Sequence, residues 1–147
     1  MEKQFKTLRE KIAYENIERV ARYAAWDKLF SEAIAAGYAA GDHMTPKPMA
    51  IVEAASIFSN EPKPGAPVYV CNEGPCGFAW VNVKGANKGF GAWLLKTGKA
   101  RKGYYGGAEI WIHAHNQSYE RKYAHARAMA HIFKEAGVDC YASGRLD

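Results

Sequence analysis

The stretch from Ala108 to Ser143 constrains the fold more than any other part of the chain. Ile110, Ile112 and Ala114 alternate with Trp111, His113 and His115. That period of two belongs to a strand with one face turned to a core. Tyr123, Ala126, Ala130 and Phe133 then repeat at helical spacing, and Gly137 stands where a helix ends. Asn116 is placed to cap the start of this helix. Val138 to Ser143 reads as a strand again. Strand, helix and strand with short connections predict a right-handed βαβ crossover, which requires a sheet covered by helices.

Upstream, residues 2–40 carry helical stripes: Phe5, Leu8 and Ile12, then Ile17, Val20 and Ala24, then Phe30, Ile34 and Tyr38. The stripes shift phase near Glu15–Asn16 and Asp27, which fits one drifting helix or two with a break. Gly41 reads as the stop, and Thr45-Pro46-Lys47-Pro48 is extended because each proline restricts its predecessor. Met49–Ala54, Val68–Cys71 and Cys76–Lys84 read as strands, the last two joined by a hairpin-like Asn72-Glu73-Gly74-Pro75. In the last of them Phe78, Trp80 and Asn82 face one way and Ala79, Val81 and Val83 the other. The expected fold is α+β or α/β: a small mixed sheet of about five strands, a long N-terminal helix and a C-terminal βαβ unit. Residues 1–16 read as a helical extension and residues 17–147 as a single α/β domain. A chain of 147 residues can bury a core of its own.

Composition narrows the class. No apolar run is long enough to span a bilayer, and the charged start MEKQFKTLREK lacks the apolar core of a secretory signal. A cytoplasmic protein with no membrane partner is expected. Cys71, Cys76 and Cys140 are too few and of the wrong parity for a disulfide framework. The net charge of +5 is unevenly placed. The first 73 residues carry 9 basic and 10 acidic side chains, and the remainder carries 11 and 5. Gly74 to Ala108 contains no acidic residue but holds Lys84, Lys88, Lys96, Lys99, Arg101 and Lys102. Such a field favours an anionic partner, although a solvated lysine surface has the same composition.

Two glycine-rich loops lie in this stretch, KGANKGFG at 84–91 and GKARKGYYGG at 98–107. Glycines let backbone amides approach a phosphate, Lys84, Lys88, Arg101 and Lys102 supply charge, and Tyr104 and Tyr105 offer faces for a base. Neither loop fits the P-loop or the dinucleotide fingerprint, so no cofactor is expected. Gln117, Ser118, Arg121 and Lys122 lie near the start of the last helix, and Arg121 follows Gln117 by one turn. Arg145 precedes Asp147, which could pair with Arg145 or Arg121 or belong to a frayed end. Cys76 stands at a strand start, where it could be a nucleophile or a small buried hydrophobe. His113 and His115 at i, i+2 spacing could transfer protons, or hold a metal if Asp139 supplied a further ligand, or simply form a polar face. No metal is assigned. His125 and His131 read as surface or boundary residues.

The strings PKPM, CGFAWVNVK, YYGG followed by IW, QSYERK and the terminal SGRLD resemble a group of small proteins encoded by tailed bacteriophages. The resemblance runs from about Ala36 to Asp147. Its matching positions are Cys76, Gly77, Phe78, Trp80, Tyr105, Gly106, Gly107, Trp111, Gln117, Ser118, Arg121, Lys122, Arg145 and Asp147, and the pattern does not require histidine at positions 113 or 115. The resemblance implies a phage accessory protein, acting in the infected bacterial cytoplasm or carried in the virion.

Three functions follow as expectations. The leading one is non-catalytic binding of a phosphate-bearing ligand, a nucleotide, a signalling nucleotide or nucleic acid. It would use Lys84, Lys88, Arg101, Lys102, Tyr104, Tyr105, Trp111, Gln117, Ser118, Arg121, Lys122 and Arg145. The second is a small hydrolase or transferase using Cys76, His113 or His115. The third is a virion or protein-interaction component whose N-terminal helix could dimerise or dock a partner.

Overall fold

A computed structural model describes residues 2–147 of the chain. The first helix, α1, runs unbroken from Leu8 to His43. Thr7 caps it by accepting a hydrogen bond from the Glu10 amide at 3.1 Å. The phase shifts in its sequence therefore mark a change of surroundings along one helix. Gly41 does not end α1, which continues for two residues beyond it. Its hydrogen is needed for packing: a Cβ there would lie 2.1 Å from His115 Nε2.

Strands β1 (Met49–Val52) and β2 (Val68–Cys71) form a two-stranded antiparallel arm of their own. The expected hairpin between β2 and β3 (Gly77–Val83) does not form, because both edges of β3 are taken. After β3 come α2 (Gly89–Lys96), the short β4 (Arg101–Lys102), β5 (Ala108–Trp111), α3 (Tyr119–Glu135) and β6 (Cys140–Leu146). The main sheet has the order β4-β5-β3-β6, with every neighbouring pair antiparallel. The crossover β5-α3-β6 is present, but its two strands flank β3 instead of pairing with each other. Likewise β3-α2-β4 is split by β5. Connectivity β3-α2-β4-β5-α3-β6 in this order is the ferredoxin-like, split-βαβ plan.

The period-two faces sort as the alternation requires. Ala79, Val81 and Val83 of β3 and Ala108, Ile110 and Ile112 at β5 are buried. They pack under Phe90, Trp93 and Leu94 of α2 and Ala126, Met129, Ala130 and Phe133 of α3. Ser118, not Asn116, caps α3, with its Oγ accepting from the Arg121 amide. Gly137 follows the helix at φ 84°, the left-handed turn expected there. Helix α1 packs along α3 and brings Trp26 against Phe90 and Trp93. All helices that contact the main sheet's core thus lie on one side. The other face carries Phe78, Trp80, Asn82, Glu109, Trp111, Tyr141, Ser143 and Arg145, and among the described residues no helix packs over it.

Candidate functional site

The open face is built row by row from the strand register. Trp80 sits opposite Trp111 on one neighbour and Ser143 on the other. The two indoles stack at 4.7 Å between centroids and 19° between planes. The Arg101 guanidinium covers Trp111 at 4.1 Å. A planar cation on an aromatic face is a favourable stack. Phe78 meets Trp111 edge-on at 6.1 Å, with the Arg145 guanidinium 5.4 Å and the Lys122 ammonium 5.8 Å from its ring centroid. In the next row Asn82 lies between Glu109 and Tyr141 and donates to the Gly106 carbonyl, which ties down the β4–β5 turn.

Two connected basins lie on this face. The first, about 810 Å³, is bounded by Phe78, Trp111 and Ile112, with Asn116 and Gln117 at its rim and Lys99, Arg101, Lys122 and Arg145 around it. The second, about 870 Å³, runs past Trp80 and Tyr141 to Lys102, Tyr104 and Tyr105. Arg101, Glu109, Trp111 and Arg145 line both.

Lys122 is the most informative residue of the set. It lines the first basin yet is only 5% exposed. Among the described residues its ammonium has no ion-pair or side-chain hydrogen-bond partner, and neither have Arg101, Lys102 and Arg145. The Lys122 stem is packed and its ammonium reaches the basin. The Trp111 indole nitrogen is also buried, and it lacks an acceptor. The first basin thus brings unpaired cations beside aromatic rings.

The sequence candidates divide accordingly. Arg101, Lys102, Tyr104, Tyr105, Trp111, Gln117, Lys122 and Arg145 line the basins. Tyr104 and Tyr105 project from the β4–β5 turn almost fully exposed. Lys84 pairs with Asp139 at 3.7 Å and lines a smaller hollow beside the second basin, where Gly85 meets Tyr105 and Gly106. Lys88 precedes α2 and lines neither basin. Ser118 and Arg121 serve the fold. Ser118 donates to the Glu73 carbonyl. Arg121 binds Glu73 at 2.6 Å and the carbonyls of Gly41 and Asp42 at 2.9 and 3.1 Å, joining α3, the end of α1 and the β2–β3 connector. Asp147 pairs with neither arginine; its amide bonds the Cys76 carbonyl.

Cys76 is exposed at the foot of β3, bridged through its backbone to Ser118, and no hydrogen bond joins its thiol to a histidine. His113 and His115 do not share a face. His113 is exposed at the rim of the first basin. At His115 the backbone turns left-handed, φ 67°, and swings the ring inward, where it meets Asp42 at 3.5 Å and His125 at 3.0 Å. His125 is therefore not a surface residue: it is 3% exposed, against Gly37 of α1. Burial and the neighbouring His115 push its imidazole down to about 4. No group of three or more His, Cys, Asp or Glu among the described residues is placed to hold a metal. Among the described residues no helix is long and apolar enough to cross a membrane.

Phe78, Trp80, Lys99, Asn116, Tyr141 and Ser143 join the site without having been singled out as ligand residues. The alternation in β3 already placed Phe78 and Trp80 together, but that their face is uncovered depends on where the helices pack. No protein-family model, curated protein or solved structure matches the chain.

Proposed function

We propose that this protein binds a nucleotide-type ligand, one that carries both phosphate and base, on the open face of its main sheet without transforming it. The observation that carries this reading is Lys122, buried and unpaired in a basin whose floor is aromatic. Phosphate would meet Lys122 and Arg145, and a base would stack on exposed ring surface, a contact worth about 1–3 kcal/mol per base. The Asn116 and Gln117 amides are suited to base edges. The resemblance to phage proteins supports a role in an infected cell, where such binding would sequester a nucleotide or manage nucleic acid. The test is titration with nucleotides and short single strands at low salt, following tryptophan fluorescence. Quenching that disappears in both Lys122→Met and Arg145→Ala is expected. Absence of binding to any of them sinks the reading.

A second reading, self-association as an assembly component, is favoured by apolar surface elsewhere. Ile57 and Phe58 on the arm are over 90% exposed, and Leu8, Ile17 and Val20 of α1 are also uncovered. A two-stranded arm is only marginally stable alone, and a second copy would cover it. Mass in solution decides: a monomer at high concentration removes this reading.

A further inference from the structure

We infer that the ligand is a single strand of nucleic acid, at least two nucleotides long, laid across both basins. This rests on the reading above that the open face takes a nucleotide-type ligand. A free mononucleotide would leave most of the face unused. Lys122 lines only the first basin and Lys102 only the second, while Arg101 and Arg145 line both. A ligand that meets both lysines has to span the two basins. A strand with successive phosphates can, since one strand of a base-stacked helix advances about 3.4 Å per nucleotide.

The aromatic surface is distributed in the same way. Arg101, Trp111 and Trp80 form a standing stack whose far end is the outer face of Trp80. Among the described residues no other ring or cation stacks on that face, and the residue opposite, Ser143, is small. A base placed there continues the stack. Tyr141, 45% exposed, lies in the next row, and Tyr104 and Tyr105 stand beyond it on the turn. Stacking surface thus recurs along the second basin, as a chain of bases requires and a lone base does not. The surface is a shallow, open shelf with its rings presented to solvent. Stacked and paired bases of a duplex could not reach those ring faces, so single strands are favoured over duplex.

The experiment measures fluorescence anisotropy of the full chain with end-labelled oligothymidylates from one to twelve nucleotides, the matching oligouridylates, a duplex of the same length, and unlabelled thymidine monophosphate as competitor. Affinity should rise steeply from one to about four nucleotides and gain at least 30-fold over the monophosphate. The slope of log K against log salt should be about −0.7 for each phosphate engaged. Arg101→Ala and Trp80→Ala should each reduce oligonucleotide affinity about tenfold, with circular dichroism reporting that each variant is folded. The thymidylate and uridylate arms tell DNA from RNA preference. If monophosphate binds as tightly as the longer strands, or duplex does, the single-strand inference is overturned. If that same monophosphate binding is still lost in Lys122→Met, the broader ligand reading survives it. If nothing binds, both fall.

Discussion

Nε2 of His115 lies 3.0 Å from Nδ1 of His125, inside the contact between α1 and α3. Nδ1 of His115 faces the Asp42 carboxylate at 3.5 Å. The carboxylate favours a proton on that nitrogen, so His115 Nε2 is left to accept from His125. One shared proton makes a hydrogen bond; a second makes a repulsion. Burial lowers the affinity of both imidazoles for that second proton, and for His125 to about 4. Asp42 opposes the shift, while Arg121 and Lys122 reinforce it at His115.

The pH consequence has a definite sign. Between 6.5 and about 4 the unfolded chain binds a proton at position 125 that the folded chain refuses. Stability from this pair is therefore complete above 6.5 and drains away as pH falls toward 4. From pH 7.5 to 5 the loss should be on the order of 1–2 kcal/mol, read from urea midpoints. His125→Gln should flatten the dependence. Equal pH slopes in the parent and this variant would refute the assignment.

Gly37 and Gly41 test the same contact by shape. In an exposed helix Gly→Ala stabilises by about 1 kcal/mol. Here an added Cβ would stand 2.3 Å from the His125 ring or 2.1 Å from that of His115. Gly37→Ala and Gly41→Ala should each destabilise by about 2 kcal/mol, the cost of overpacking a filled interface. Thermal midpoints that rise instead would show that α1 does not press on these rings.

Arg121 separates structural from ligand-facing charge. Its hydrogen bonds to Glu73, Gly41 and Asp42 hold three parts of the chain together. Arg121→Ala should cost about 2 kcal/mol in urea unfolding and leave oligonucleotide affinity within about twofold under folding conditions. A loss of affinity as large as that of Arg145→Ala would return Arg121 to the binding site.

The sequence carries the faces of this fold and conceals the neighbours. Alternation assigned Ala79, Val81 and Val83 to the core and Phe78 and Trp80 to the other side, because a period of two fixes orientation. It does not specify which strand lies alongside, so β2 was expected beside β3 and is found beside β1. Gly41 looked like a helix stop because glycine serves both left-handed turns and close packing. Charge counting pointed to the glycine-rich loops, but counting cannot see pairing: Lys84 is neutralised by Asp139, which enters the sequence 55 residues later. One signal for the site was present. Lys122 precedes Ala126 by four residues and Met129 by seven, so it stands on the buried stripe of α3, where a lysine is out of place.

That misplacement leads to the sharpest prediction. A lysine whose stem is buried and whose ammonium has no internal partner gives up side-chain freedom and part of its hydration, a cost that a bound anion offsets. Methionine has nearly the same length and shape and no charge to desolvate. Lys122→Met should therefore raise stability, by about 1 kcal/mol in urea unfolding, while nucleotide or oligonucleotide binding falls at least tenfold. Saturating ligand should reverse the order, because binding adds stability to the parent protein in proportion to RT ln(1 + [L]/Kd) and adds little to the variant. Opposite movements of stability and affinity distinguish a ligand-facing lysine from one that merely props the helix. If Lys122→Met is less stable than the parent and binds equally well, Lys122 supports the fold and the site lies elsewhere.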